Sequence, residues 1–289
     1  MHIPVLSREV LEYLAVRPDG RYLDCTAGLG GHTGLIAQRL TSGFVIANDR
    51  DEESLKMART NTAAWADRIR WHRGKFSQID RALVGCGAEK VDGLVADLGV
   101  SRYQLTEAPR GFSLQASGPL DMRMDRAEET SAADIVNYSS EKEIADLIYQ
   151  LGEERRSRRI ARAIVRARPI HTTGHLASVV EEAVPRTGRL HPATQTFMAL
   201  RIAVNRELEE LDALLDLAPR VVDSGGRIVI ITFMSLEDRK VKQSFQSLAR
   251  DGRASILTKH VVRPPEEEVA RNPASRSAKL RAVEMASGK

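Results

Sequence analysis

Arg21-Tyr-Leu-Asp24-Cys25-Thr26-Ala-Gly28-Leu-Gly30-Gly31-His32-Thr33 is the stretch on which the fold turns. Arg21–Cys25 reads as a short strand, Thr26–His32 as a loop of small residues, and Thr33–Leu40 as a helix. Downstream, Phe44–Asn48 is a second apolar strand that stops at Asp49, and Glu52–Trp65 reads as a helix. Ile69–His72 and Val91–Ala96 are further strands, the last ending at Asp97. Strands alternating with helices in this way predict a parallel sheet covered on both faces. Ligands of such sheets bind beyond the carboxyl ends of the strands, where strand order reverses. The glycine loop, Asp49 and Asp97 are therefore the candidate site.

Upstream, residues 1–16 read as a short amphipathic helix and Pro18-Asp19-Gly20 as a turn. Downstream the pattern breaks. Between about Gln104 and Glu210 no strand candidate occurs, and Glu141–Leu151, Glu154–Ala167 and Ala193–Leu217 read as helices. In the last, Phe197, Leu200, Val204, Leu208, Leu211 and Leu215 recur every three or four residues, which predicts one buried stripe. After Pro219 the strand–helix alternation returns. Gly225-Gly226 turns into the β-branched strand Arg227–Phe233, and Ser235–Leu248 is a helix whose Ser235 and Asp238 fit a capping box. Ser255–Val262 and Ala278–Ala286 supply two closing strands. The expectation is an α/β core made of residues 1–106 and 210–289, interrupted by a helical domain over 107–209.

The chain has 289 residues, 42% hydrophobic but only 4% aromatic, so the core must be mostly aliphatic. No stretch approaches the ~20 uncharged apolar residues of a membrane span, and the first residues carry no basic-then-apolar signal pattern. Cys25 and Cys86 make neither a zinc spacing nor a disulfide framework, and no metal site is expected. A reducing cytoplasm fits best. The net charge of +4 conceals a polarised middle: Asp121–Glu154 holds ten acids against three bases, whereas Arg155–Arg206 holds eleven arginines against two acids. Arg155, Arg159, Arg162 and Arg166 fall three or four apart on one helix face, a row suited to phosphates unless the acidic segment neutralises it.

A glycine-rich turn between a first strand and its helix lets backbone approach a ligand closely. Dinucleotide enzymes use G-x-G-x-x-G for a pyrophosphate. Here Thr33 stands where the third glycine belongs, and Gly34 gives only a looser variant. Asp24, an acid at the strand end, suits a cationic ligand such as a sulfonium better than a pyrophosphate. Asp49 can accept from both ribose hydroxyls, a feature shared by both cofactor types. The plain alternative is a generic strand–loop–helix in which Asp49 merely caps the next helix.

Several separate motifs occur in order: His2–Leu6, Gly30-Gly31-His32, Asn48-Asp49-Arg50-Asp51, Asp97-Leu-Gly-Val-Ser101, Arg110-Gly-Phe-Ser113, Gly118-Pro-Leu-Asp-Met-Arg-Met124, Gly152-Glu-Glu154, His191-Pro-Ala-Thr194, Ser235-Leu-Glu-Asp-Arg239, and Asn272-Pro273 with Arg276-Ser277. By these the chain resembles, nearly end to end, the bacterial 16S ribosomal RNA cytosine-N4 methyltransferases, the RsmH or MraW family. The resemblance implies a Rossmann-like S-adenosylmethionine-dependent core with an inserted helical domain that helps recognise substrate, and 16S rRNA or the small ribosomal subunit as partner. A homodimer is left open. It carries over Gly30, Gly31, His32, Asp49, Phe76, Asp97 and Gln104 as cofactor contacts, with Phe76 an apolar face for adenine and Gln104 a polar contact from the following loop. Departures from the family pattern are Arg102-Tyr103 in place of Ser-Pro before Gln104, an altered stretch between Phe112 and Gly118, and Met234 where a histidine is common. Amino methyltransferases often place Asp/Asn-Pro-Pro-aromatic after strand four. Asp97-Leu98-Gly99-Val100 lacks it, which leaves Asp97 with nearby carbonyls as the expected catalytic acceptor for the amine N–H, or as a cofactor contact only. Gly118–Met124 is read either as a loop near the target base or as a structural turn.

Overall fold

The computed structural model describes residues 4–186, 188 and 190–287; His2 and Ile3 of the first motif and Arg189 of the basic stretch lie outside the described residues. The chain forms two compact units, an α/β unit of Met1–Gly99 with Glu209–Lys289 and a helical unit of Val100–Leu208. The sequence expectation put the first cut later, at 106/107; residues 100–106 instead go with the helical unit.

The first half of the α/β unit runs α1 (Ser7–Leu14), β1 (Arg21–Asp24), α2 (Gly31–Arg39), β2 (Phe44–Asp49), α3 (Glu52–Asn61), β3 (Ile69–Arg73), α4 (Ile79–Gly85) and β4 (Val91–Asp97). α2 begins at Gly31, ahead of the expected Thr33, because Gly30 at φ 87° turns the chain straight into the helix. α3 ends at Asn61, short of the expected Trp65. Thr62 leaves helical geometry (φ −110°, ψ 15°), its hydroxyl donates to the Ala58 carbonyl, and the chain continues as a 3-10 turn over Ala63–Arg68.

The helical unit holds α5 (Arg102–Thr106), α6 (Ala132–Tyr138), α7 (Glu141–Gly152), α8 (Ser157–Ala167), α9 (Thr173–Ala183) and α10 (Thr194–Asn205). Serines at 131 and 140 each cap a following helix in a reciprocal box with Asp134 and Glu143. Glu153 in left-handed geometry separates α7 from α8, so α8 starts at Ser157 and not at Glu154, and Arg155 precedes the helix. Ile144, Ile148, Ile160, Ile164, Leu176 and Phe197 belong to the unit's own core. Its long loop is fixed by buried polar groups: the Arg110 guanidinium donates to the carbonyls of Arg123 and Met124, and the Asn205 amide bridges the Met122 carbonyl and the Met124 N–H.

Arg206 adopts φ 49° and ends α10, and α11 (Glu207–Val221) starts anew. The expected single helix over 193–217 is thus two, and its one apolar stripe is divided. Phe197, Leu200 and Val204 serve the helical unit's core, while Leu211 and Leu215 serve the α/β unit's.

β5 (Val222–Thr232) begins before the expected Arg227, with a register slip opposite Val91 and Gly93. α12 (Ser235–Arg250), β6 (Ala254–Ile256), α13 (Glu266–Arg271) and β7 (Lys279–Met285) complete the chain. The expected Ser235–Asp238 box does not cap α12. Glu237 reaches back to accept from the N–H groups of Phe233 and Met234, and Asp238 instead pairs with Arg281 at 2.7 Å. The strand order is β3-β2-β1-β4-β5-β7-β6, with β7 antiparallel to both neighbours and the rest parallel. Order reverses between β1 and β4. Successive residues point to opposite faces, so Leu23, Ile46, Leu94 and Ile228 enter one apolar layer while Tyr22, Val45, Val95 and Val229 enter the other. Burying each such aliphatic side chain contributes about 1.5–3 kcal/mol, which fixes strand register and thereby the positions of the strand-end acids.

Candidate active site at the strand ends

Three carboxylates end neighbouring parallel strands: Asp24 on β1, Asp49 on β2 and Asp97 on β4. The loop after β1 turns back over them with Gly28 at φ 50° and Gly30 at φ 87°. A Cβ on Gly30 would lie 2.8 Å from the Thr62 methyl, so the loop's close seat on α3 requires glycine.

Asp49 accepts from the Gly28 N–H at 2.8 Å and from the Asp51 N–H at 2.9 Å, one to each oxygen. It does not cap α3; Asp51 does, accepting from the N–H groups of Glu53 and Ser54. Helix capping is therefore not the role of Asp49, whose carboxylate stays beside the glycine loop. Burial pushes the Asp49 pKa up to about 6; the bonds from Asp51 and Gly28 counteract this, and the charges of Asp51 and Asp24 add to it.

Asn48, which the sequence reading quoted only as part of a motif, staples the site. It is fully buried and donates to the carbonyls of Cys25 and Gly74, while its oxygen meets His72 Nδ1 at 2.8 Å. One amide thus ties the glycine loop to the turn after β3 that carries Phe76. A polar residue directly after the apolar run Phe44–Ala47, still within the strand, was the available signal. Phe76 is half-buried and packs partly on the sheet's core.

Asp24 is fully buried, accepts from the Thr26 N–H at 3.0 Å and from the Thr33 hydroxyl at 2.6 Å, and has its pKa raised chiefly by burial. Thr33, the residue that breaks the dinucleotide pattern, is therefore a partner of this acid. The Thr26 hydroxyl accepts from the Asp97 N–H at 2.7 Å. His32 Nε2 lies 3.5 Å from Asp97 Oδ2. Asp97 Oδ1 and both ring nitrogens of His32 are buried without a hydrogen-bond partner. Three acids around one glycine loop, with an orphaned carboxylate oxygen among them, suit a ligand bearing hydroxyls, N–H donors and positive charge, and disfavour a pyrophosphate.

Gly30, Gly31, His32, Asp49, Phe76 and Asp97 all belong to the α/β unit. Gln104 belongs to the helical unit, where its oxygen accepts from the Ser101 N–H at 2.9 Å. On α8, Arg159, Arg162 and Arg166 are exposed, and Arg162 lies 3.5 Å from Glu141. Arg155 is exposed too, but in the turn before the helix, so the expected four-residue row has three members on α8. Cys25 is buried, and burial pushes its thiol pKa well up. Among the described residues no group of three or more His, Cys, Asp or Glu is placed to hold a metal, and no helix is long and apolar enough to cross a membrane.

A family model described as the MraW methylase family matches residues 1–286. The ribosomal RNA small subunit methyltransferase H of Solibacter usitatus is 65% identical over 285 residues, covering 99% of this chain and 100% of that one. The proteins of the same name from Acidobacterium capsulatum and Koribacter versatilis are each 49% identical, over 98% of this chain and 98% and 93% of theirs.

Proposed function

The chain belongs to the MraW methylase family, and from that premise we propose that it methylates N4 of a cytosine in the decoding region of 16S ribosomal RNA, with S-adenosylmethionine as methyl donor. The observation that carries the reading is Asp49. Asp51 relieves it of helix capping, and two N–H groups hold its carboxylate beside the glycine loop, as a ribose diol requires.

S-adenosylmethionine supplies a methyl carbon already activated on a sulfonium. The chain's residues do the rest. Gly30 and Gly31 admit the methionyl end, Asp49 accepts from the ribose hydroxyls, and Phe76 offers its ring to adenine. Gln104 is the remaining residue that the family resemblance carries over as a cofactor contact. An exocyclic cytosine amine is a weak nucleophile because its lone pair is delocalised into the ring. Asp97 accepts an N–H of that amine and favours its pyramidal form, so the task is chiefly one of alignment. The base has to be unstacked to reach the sulfonium. Arg155, Arg159, Arg162 and Arg166 contact RNA phosphates. The substrate is the RNA or the assembled small subunit, the compartment the cytoplasm, and sedimentation distinguishes a single copy from a homodimer.

The test is nucleoside mass spectrometry of 16S rRNA treated with the purified protein and isotopically labelled S-adenosylmethionine. A labelled N4-methylcytidine from one decoding-region position is expected. Label in another nucleoside, or calorimetric binding of NAD in place of S-adenosylmethionine, would overturn the proposal.

A further inference from the structure

His32 lies in the first turn of α2, where a backbone contact to a cofactor would need no particular side chain. Yet its imidazole is 5% exposed and set 3.5 Å from Asp97 Oδ2, an ion pair in place of a tight hydrogen bond. Asp97 is gripped from two sides. Its N–H is bound by Thr26, whose hydroxyl in turn leans on Asp24, and His32 Nε2 stands 3.5 Å from Oδ2. Only Oδ1 is left, buried and unpartnered. An unsatisfied buried carboxylate oxygen is costly, so a surrounding that creates one marks the place of a ligand's donor.

The charged groups facing His32 are Asp97 at the end of β4, Asp24 at the end of β1 and Glu268 on α13. Burial opposes the imidazolium, but the bond and charge of Asp97, with Asp24 and Glu268, outweigh it and hold the His32 pKa above the ordinary histidine value.

We propose that His32 is a positioning residue for methyl transfer: with Nε2 turned toward Oδ2 it fixes the rotation of the Asp97 carboxylate, so that Oδ1 is the acceptor presented to the N–H of the substrate amine. This rests on the functional reading above and gives the imidazole a task separate from cofactor binding. A hydrogen-bond donor at the Nε2 position is what matters, so glutamine, whose amide reaches the same place, substitutes for it and leucine does not.

The experiment compares the parent, His32→Leu and His32→Gln by calorimetry with S-adenosylmethionine and by single-turnover methyl transfer to small-subunit RNA. The His32 imidazole is also titrated by NMR in the parent and in Asp97→Asn. His32→Leu is expected to lose about 100-fold in rate, the scale of one lost transition-state hydrogen bond, with Kd changed less than about three-fold. His32→Gln should recover at least about ten-fold of that loss. The imidazole pKa should fall in Asp97→Asn. The inference is overturned if His32→Leu keeps the parent rate, if its Kd weakens as much as its rate with no rescue by glutamine, or if Asp97→Asn leaves the imidazole titration unmoved. The titration and His32→Gln decide the matter even where His32→Leu does not fold. A parent that neither binds the cofactor nor transfers a methyl sinks the functional reading and this inference with it; an active parent with an indifferent His32→Leu sinks the inference alone.

Discussion

Asp49 accepts from ribose hydroxyls only as a carboxylate, and burial has brought its pKa to about 6. A raised acid pKa means the proton is held more tightly, so ligand affinity is fully present above pH 6 and is lost as the pH falls through it. Between pH 7.5 and 5 the Kd for S-adenosylmethionine should weaken about ten-fold on this account. Calorimetry at several pH values checks it, and Asp49→Asn should bind weakly with no such slope. Gly30 makes a second demand at this scale. Gly30→Ala forces an L-residue to φ 87° and drives its Cβ against Thr62, costing about 2 kcal/mol or more. The Tm should drop by roughly 4–8 °C, and adding Thr62→Ser, which removes the offending methyl, should restore part of it. Asp49 and the glycines were legible in the sequence because strand, loop and acid are contiguous or one strand apart. The links Thr33–Asp24 and Asn48–His72 were not, since they depend on which strands lie side by side.

At the scale of the element, α8 presents Arg159, Arg162 and Arg166 to solvent. Replacing Arg159 and Arg162 with alanine should weaken RNA binding and flatten its log–log salt dependence by up to about two units, since each phosphate contact contributes close to one. Cofactor Kd should stay unchanged, and identical RNA affinity across a salt titration would remove α8 from the interface. The break between α10 and α11 is a second element-level device. Arg206 sits in left-handed geometry beside Asn205, which holds the Met122–Met124 loop. Arg206→Gly should raise stability by up to about 1 kcal/mol by relieving that conformation, whereas Asn205→Leu should cost about 2–3 kcal/mol by orphaning two buried backbone groups; chemical denaturation measures both. No apolar spacing could reveal this break, because the stripe from Phe197 to Leu215 continues in phase while its halves serve different cores. α6 escaped for another reason: it spans only seven residues, a run too brief to show a period.

For the whole molecule, the strand–helix alternation and its interruption were readable, since they depend on composition averaged over many residues. The exact borders were not. Each unit has an apolar core of its own, so residues 100–208 alone should give a helical circular dichroism spectrum and one cooperative thermal transition. A gradual, featureless melt would show that this core needs the rest of the chain. The strand order has a consequence for manufacture. β7 lies between β5 and β6, so the strand synthesised after all the others is an interior one. While a ribosome is still extending the nascent polypeptide, β5 has a bare flank and β6 has nothing to pair with. The sheet can close only when Lys279–Met285 has cleared the exit tunnel, and until then that open flank is the site most exposed to chaperones and to mispairing.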